Sequence, residues 1–123
     1  MSLLPKNRFT LFLLYFLLIN ILFYLPGSAL PKVTWLNKIW FDKWVHVGLF
    51  AVLTFLGLWA FSFRKNIQIV ILLLLLILYG FMVEVVQDQL IRNRSFDLGD
   101  WLADIIGVIV GGVSWRYKKN RPL

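Results

Sequence analysis

Apolar residues fall into four runs, separated by short polar, basic or proline-containing segments. The first, Phe9 to Leu25, is interrupted only by Asn20 and follows a basic head carrying Lys6 and Arg8. Pro26 and Gly27 end it, because proline cannot continue the helical ladder and glycine tolerates the turn. The second run, Trp44 to Phe63, has His46, Thr54 and Ser62 as its clearly polar members, and Arg64-Lys65-Asn66 makes a basic turn after it. A third run begins at Ile67 and is almost pure leucine and isoleucine until Glu84 and Gln87. The polar stretch Asp88 to Gly99 leads into the shortest run, Asp100 to Trp115, and Arg116, Lys118, Lys119 and Arg121 close the chain. No strand alternation interrupts this pattern, and open strands could not satisfy their backbone in lipid. The pattern predicts an all-α integral membrane four-helix bundle: one domain over 1–123, with spans about 9–25, 44–63, 67–87 and 100–115. Trp40 and Trp44, four residues apart, suggest a short interfacial helix over 32–43, between helices one and two.

The first run also has the basic start of a signal peptide, and Gly27-Ser28-Ala29 is a passable cleavage site. Its apolar core is 17 residues long, beyond the usual ~7–15 of a signal peptide. A retained helix is the expectation.

Composition agrees with the runs. Of 123 residues 60% are hydrophobic and 15% charged, against ~45–50% and ~25% in soluble domains. A soluble core of this length could not hide so much apolar surface. The absence of cysteine excludes disulfides and thiolate chemistry, and a single histidine excludes multi-histidine metal sites. The net charge of +7 is distributed by side. Lys6, Arg8, Arg64, Lys65 and the four tail cations would share one face. Lys32, Lys38, Lys43, Arg92 and Arg94 would share the other with all six acidic residues. The positive-inside rule then places both termini in the cytoplasm. A basic tail in this setting sets topology and touches anionic headgroups, so lipids are the expected partner and nucleic acid is not. Trp35, Trp40, Trp44 and Trp101 fall at the opposite boundary, where indoles anchor.

The polar residues of helices two, three and four gather at their outer ends. Asp42, His46 and Phe50 are spaced by four, with Gly57 further along that face and Lys43 three residues before His46. On the third helix Gly80, Glu84 and Gln87 share a face, with Asp88 one turn beyond Glu84. Asp97, Asp100, Asp104, Gly107 and Gly111 form one stripe on the fourth. At 1.5 Å per residue, His46, Glu84 and Asp104 each lie ~6 Å inside Asp42, Asp88 and Asp100, and so reach about one level. Ionisable groups in lipid cost ~2.5–3.5 kcal/mol at a helix centre, which drives them inward to pair or to line a polar pocket. Two uses remain open: a clasp that only holds helices together, or a site. Gly57, Gly80, Gly107 and Gly111 are the candidates for close helix packing.

These segments resemble the VanZ family of small bacterial membrane proteins. The resemblance rests on Asp42-Lys43 with His46 and Phe50, on Glu84 with Gln87, and on Arg94-Ser95 followed by Asp100, Asp104, Gly107 and Gly111. It covers about residues 26–115. Phe50 stands where tyrosine is frequent and Asp104 where asparagine is frequent. The resemblance implies a role in the bacterial cell envelope, at the cytoplasmic (inner) membrane, and its namesake confers teicoplanin resistance. It supplies no enzyme activity or substrate.

Three functions fit these residues. In the first, Asp42, Lys43, His46, Glu84, Gln87, Arg94, Asp97, Asp100 and Asp104 line an extracytoplasmic pocket. Its ligand would be an anionic or lipid-linked envelope molecule, or a glycopeptide antibiotic; arginine forks suit phosphate and carboxylate. In the second, an intramembrane enzyme acts on a lipid-linked phosphate, with His46 or Glu84 as acid or base. Mg²⁺ would then sit on Asp97, Asp100 and Asp104, and only this alternative calls for a cofactor. In the third, the chain is a non-catalytic scaffold or small transporter subunit, which a homo-oligomer would enlarge.

Overall fold

A computed structural model describes residues 7–25, 41–91 and 96–120, and the statements that follow concern these. They form four helices and no strand: α1 Arg8–Phe23, α2 Phe41–Phe61, α3 Asn66–Leu90 and α4 Leu98–Asn120. Three of these, α2, α3 and α4, are long and apolar enough to cross a membrane. With 16 residues, α1 is apolar but shorter. Most of the proposed interfacial segment, 32–40, lies outside the described residues, and 41–43 are the first turn of α2.

Helix ends differ from the apolar runs where the helical ladder continues through polar residues. Thus α3 continues through Asp88 to Leu90, and α4 carries its ladder through Arg116, Lys118 and Lys119. Lysine and arginine have high helix propensity, and cations in a last turn complement the helix dipole. At its start α4 is capped by Asp97, whose Oδ1 accepts from the N–H groups of Gly99 (2.8 Å) and Asp100 (3.3 Å). Just past the end of α2, Ser62 is held at φ 51° while its hydroxyl donates to the Trp59 carbonyl. That left-handed residue lets the chain turn back into α3 after three residues more.

The most extensive helix contact is α2 against α4. It depends on two glycines of α4. A Cβ built on Gly107 would stand 2.5 Å from the Val47 carbonyl and 2.8 Å from the Phe50 Cβ; one on Gly111 would meet Ala51 O and Thr54. Backbones this close gain van der Waals contact that lipid cannot supply. Gly80 of α3 makes room for the Asp104 side chain, whereas Gly57 faces Phe12 of α1 and Leu72 of α3. The core runs between the helices through Ile19, Phe50, Leu53, Val83 and Val108. Tyr15 fixes α1 on α2 by donating to the Leu49 carbonyl at 2.7 Å. Leu14, Leu17, Leu74, Leu75, Ile109 and Val113 remain exposed on the outside. So large an apolar exterior suits lipid and would be an aggregation surface in water.

Gly107→Leu should destabilise the fold by about 1–3 kcal/mol through overpacking. Gly48→Ala, where a new Cβ meets nothing within 4 Å, should leave stability unchanged or raise it by up to about 1 kcal/mol. Thermal or denaturant unfolding in detergent micelles compares the two directly.

Candidate functional site

The antiparallel course of α2, α3 and α4 brings the start of α2, the end of α3 and the start of α4 to one end of the molecule. Nearly all of the acidic side chains converge there in two connected layers.

The outer layer is built on Lys43. Its Nζ donates to Asp42 Oδ2 at 2.8 Å, to Asp97 Oδ2 at 2.7 Å and to Asp100 Oδ1 at 2.7 Å. An ammonium has three protons to donate, so this lysine is fully engaged. One residue of α2 therefore ties down the cap and first turn of α4. Burial pushes the Asp97 carboxyl up, but the bonds from Lys43 and from the N–H groups of Asp100 and Gly99 outweigh it. They hold Asp97 below the ordinary carboxylate range. Asp88, further out, accepts from the Phe96 N–H at 3.1 Å and so helps to hold the entry to α4.

The inner layer holds His46, Glu84 and Asp104, all buried. His46 Nδ1 lies 2.6 Å from Asp104 Oδ1, and its Nε2 lies 3.6 Å from Asp100 Oδ2. Asp100 thus touches both layers. Glu84 Oε1 accepts the Asp97 N–H at 3.3 Å. The other oxygens of the two deepest acids, Glu84 Oε2 and Asp104 Oδ2, are buried with no hydrogen-bond partner. Aromatic rings floor this layer: Phe23 of α1 stacks on the His46 ring at 5.2 Å, and Phe50 lies 5.8 Å from both Phe23 and Tyr79.

The structure thus brings together Asp42, Lys43, His46, Glu84, Asp97, Asp100 and Asp104. Gln87 is placed differently: its amide donates to the Phe23 carbonyl at 2.7 Å and ties α3 to the end of α1. Arg94 lies outside the described residues. The three aspartates considered as a Mg²⁺ set are divided between the layers. Asp97 and Asp100 join Asp42 around Lys43, and Asp104 joins His46 and Glu84. Within the outer trio the Lys43 ammonium already bonds all three carboxylates.

Sequence reasoning passed over two supporting contacts. Tyr79 donates to Asn20 Oδ1 at 2.8 Å, and Trp101 Nε1 donates to the Ile77 carbonyl at 3.0 Å. The lone amide of Asn20 in an otherwise apolar run was the available signal for the first. The tryptophan, read as an anchor, gave none for the second. Thr54 Oγ1, about two helical turns deeper than His46 on α2, is also buried without a partner. A separate groove of about 320 Å³ lies at the basic end, lined by Leu73, Ile109, Trp115, Arg116 and Lys119 among others. It is remote from the acidic cluster.

No family model matches the chain, and no curated protein or solved structure does so either. Geometry and charge must therefore carry the functional argument.

The five carboxylates Asp42, Glu84, Asp97, Asp100 and Asp104 face one lysine and one histidine. Coulomb attraction here favours cations and hydrogen-bond donors. Folded Asp97 should titrate below the ~3.9 of an unfolded aspartate. The stability it contributes is then complete above that value and is lost as pH falls through the folded pKa. Its carboxyl carbon shift, followed by NMR against pH, should show a low midpoint that rises in Lys43→Met. An unchanged midpoint in that variant would contradict the assigned bond.

Proposed function

We propose that this chain is a VanZ-like protein of the bacterial cytoplasmic membrane, with both termini inside. Its acidic end opens extracytoplasmically and binds an envelope molecule. One observation carries this reading: a polar cluster drawn from three membrane-length helices leaves buried carboxylate oxygens unbonded. A clasp that evolved only to hold helices together gains most when every buried oxygen is paired, since each orphan costs about 1–3 kcal/mol. A site must keep acceptors free for its ligand.

Charge refines the ligand class. Lys43 is occupied by three carboxylates, so an anion recruited to it would have to displace them. The cluster instead suits amines, amides and sugar hydroxyls, which donate hydrogen bonds to carboxylates. An amino-sugar-bearing glycopeptide and the glycan of a lipid-linked precursor both present such groups. Arg92 and Arg94, between α3 and α4 in sequence, are the cations proposed to meet the phosphate of a lipid-linked molecule.

Native mass spectrometry of the purified protein tests the site. Wild type should retain a headgroup-selective envelope lipid, or bind added glycopeptide, and Glu84→Gln and Arg94→Ala should lose it at matched folding. Equal, unselective retention in all three proteins would refute the pocket. Orientation is tested separately, because the chain has no cysteine of its own. A single cysteine at Lys118 should resist a membrane-impermeant maleimide in intact cells, while one at Asp88 should react. The reverse pattern would overturn the topology.

A further inference from the structure

The buried oxygens of the inner layer are suited to a metal ion as well as to an organic donor. His46, Glu84 and Asp104 each offer a ligand atom, and these atoms all lie within 4.8 Å of one another. Glu84 and Asp104 are both 0% exposed, yet each has an oxygen without a hydrogen-bond partner. Two buried carboxyl groups beside one imidazole thus hold oxygens that neither solvent nor a protein donor reaches. We propose that His46, Glu84 and Asp104 form a binding site for one first-row divalent cation, of which Zn²⁺ is the representative.

The donor set decides the class. One imidazole nitrogen and two carboxylate oxygens suit Zn²⁺ and its first-row neighbours; Mg²⁺ prefers an all-oxygen shell with several waters. Three protein ligands are the number found where a metal keeps a position open for water or a ligand group. Two carboxylates, ionised on binding, neutralise a dication. The ion takes the place of the proton shared by His46 Nδ1 and Asp104 Oδ1, which are 2.6 Å apart. Metal-ligating histidines commonly donate their other N–H to a carboxylate. Asp100 Oδ2, 3.6 Å from His46 Nε2, stands in that position.

Gly80 completes the cradle. A Cβ there would stand 2.9 Å from Asp104 Oδ2 and 3.1 Å from Asp104 Cβ, so any larger residue would push the Asp104 side chain from its place. The outer trio is different in kind, because the Lys43 ammonium already bonds all three of its carboxylates. The site is proposed from these atoms alone and does not depend on the envelope ligand.

Isothermal titration of the full chain in detergent with Zn²⁺, supported by the visible spectrum with Co²⁺, provides the test. Wild type should bind one ion per chain and gain thermal stability from it. Glu84→Gln and Asp104→Asn should each lose at least tenfold in affinity, and Asp100→Asn about tenfold as a positioning residue. Gly80→Ala should weaken binding with every ligand still present, which keeps the test decisive if a carboxylate variant fails to fold. Asp88→Asn, outside both groups of donor atoms, should bind as wild type does. No saturable binding by wild type would overturn the proposal, as would undiminished binding in Glu84→Gln and Gly80→Ala. Loss in Asp42→Asn with retention in Glu84→Gln would also overturn it, by placing the ion in the outer trio.

Discussion

The close approach of α2 and α4 is the constraint on which the polar end depends. Gly107 and Gly111 place the α4 backbone directly against Val47 and Ala51 of α2. One turn nearer the acidic end, that proximity puts His46 Nδ1 2.6 Å from Asp104 Oδ1. One turn further still, it lets Lys43 reach Asp97 and Asp100. The glycines and the polar contacts therefore belong to a single packing solution. In lipid, where burial of apolar surface gives no drive for helices to associate, close backbone contact and buried polar bonds must supply it. Widening the α2–α4 seam by a side chain would weaken every contact above it.

The two layers divide the labour between holding and remaining available. Lys43 satisfies three carboxylates at once, so the outer layer fixes the beginning of α4 to α2. The N-cap made by Asp97 orients the same turn from the other side. That rigidity is what allows Asp104, two turns further on, to be presented at a fixed depth. The inner layer is not satisfied in the same way: Glu84 Oε2 and Asp104 Oδ2 stay unbonded among buried aromatic rings. Rigid support around free acceptors is the arrangement that a binding site requires.

Much of this was legible in the sequence, for specific physical reasons. Apolar runs of spanning length announced the helices, since lipid imposes that pattern strongly. The fixed rise of a helix was enough to bring His46, Glu84 and Asp104 to a common level, because each lies one turn inside its outer acid. Boundaries were less legible: Lys118 and Lys119 were read as a tail although they continue the α4 ladder. Individual partners across helices were less legible. Lys43 finds Asp97 and Asp100 at separations of 54 and 57 residues, which no local spacing rule reaches. Gly57 was grouped with the polar face, yet packing turns it towards Phe12 and Leu72. Gln87 was counted with the pocket, yet it serves the end of α1.

His46 and Asp104, 58 residues apart, are directly coupled in the folded chain. A double-mutant cycle with His46→Gln and Asp104→Asn, read by reversible unfolding in mixed micelles, measures that coupling most directly. The expected interaction free energy between the two positions is at least ~1 kcal/mol. Additive effects, with coupling indistinguishable from zero, would contradict it.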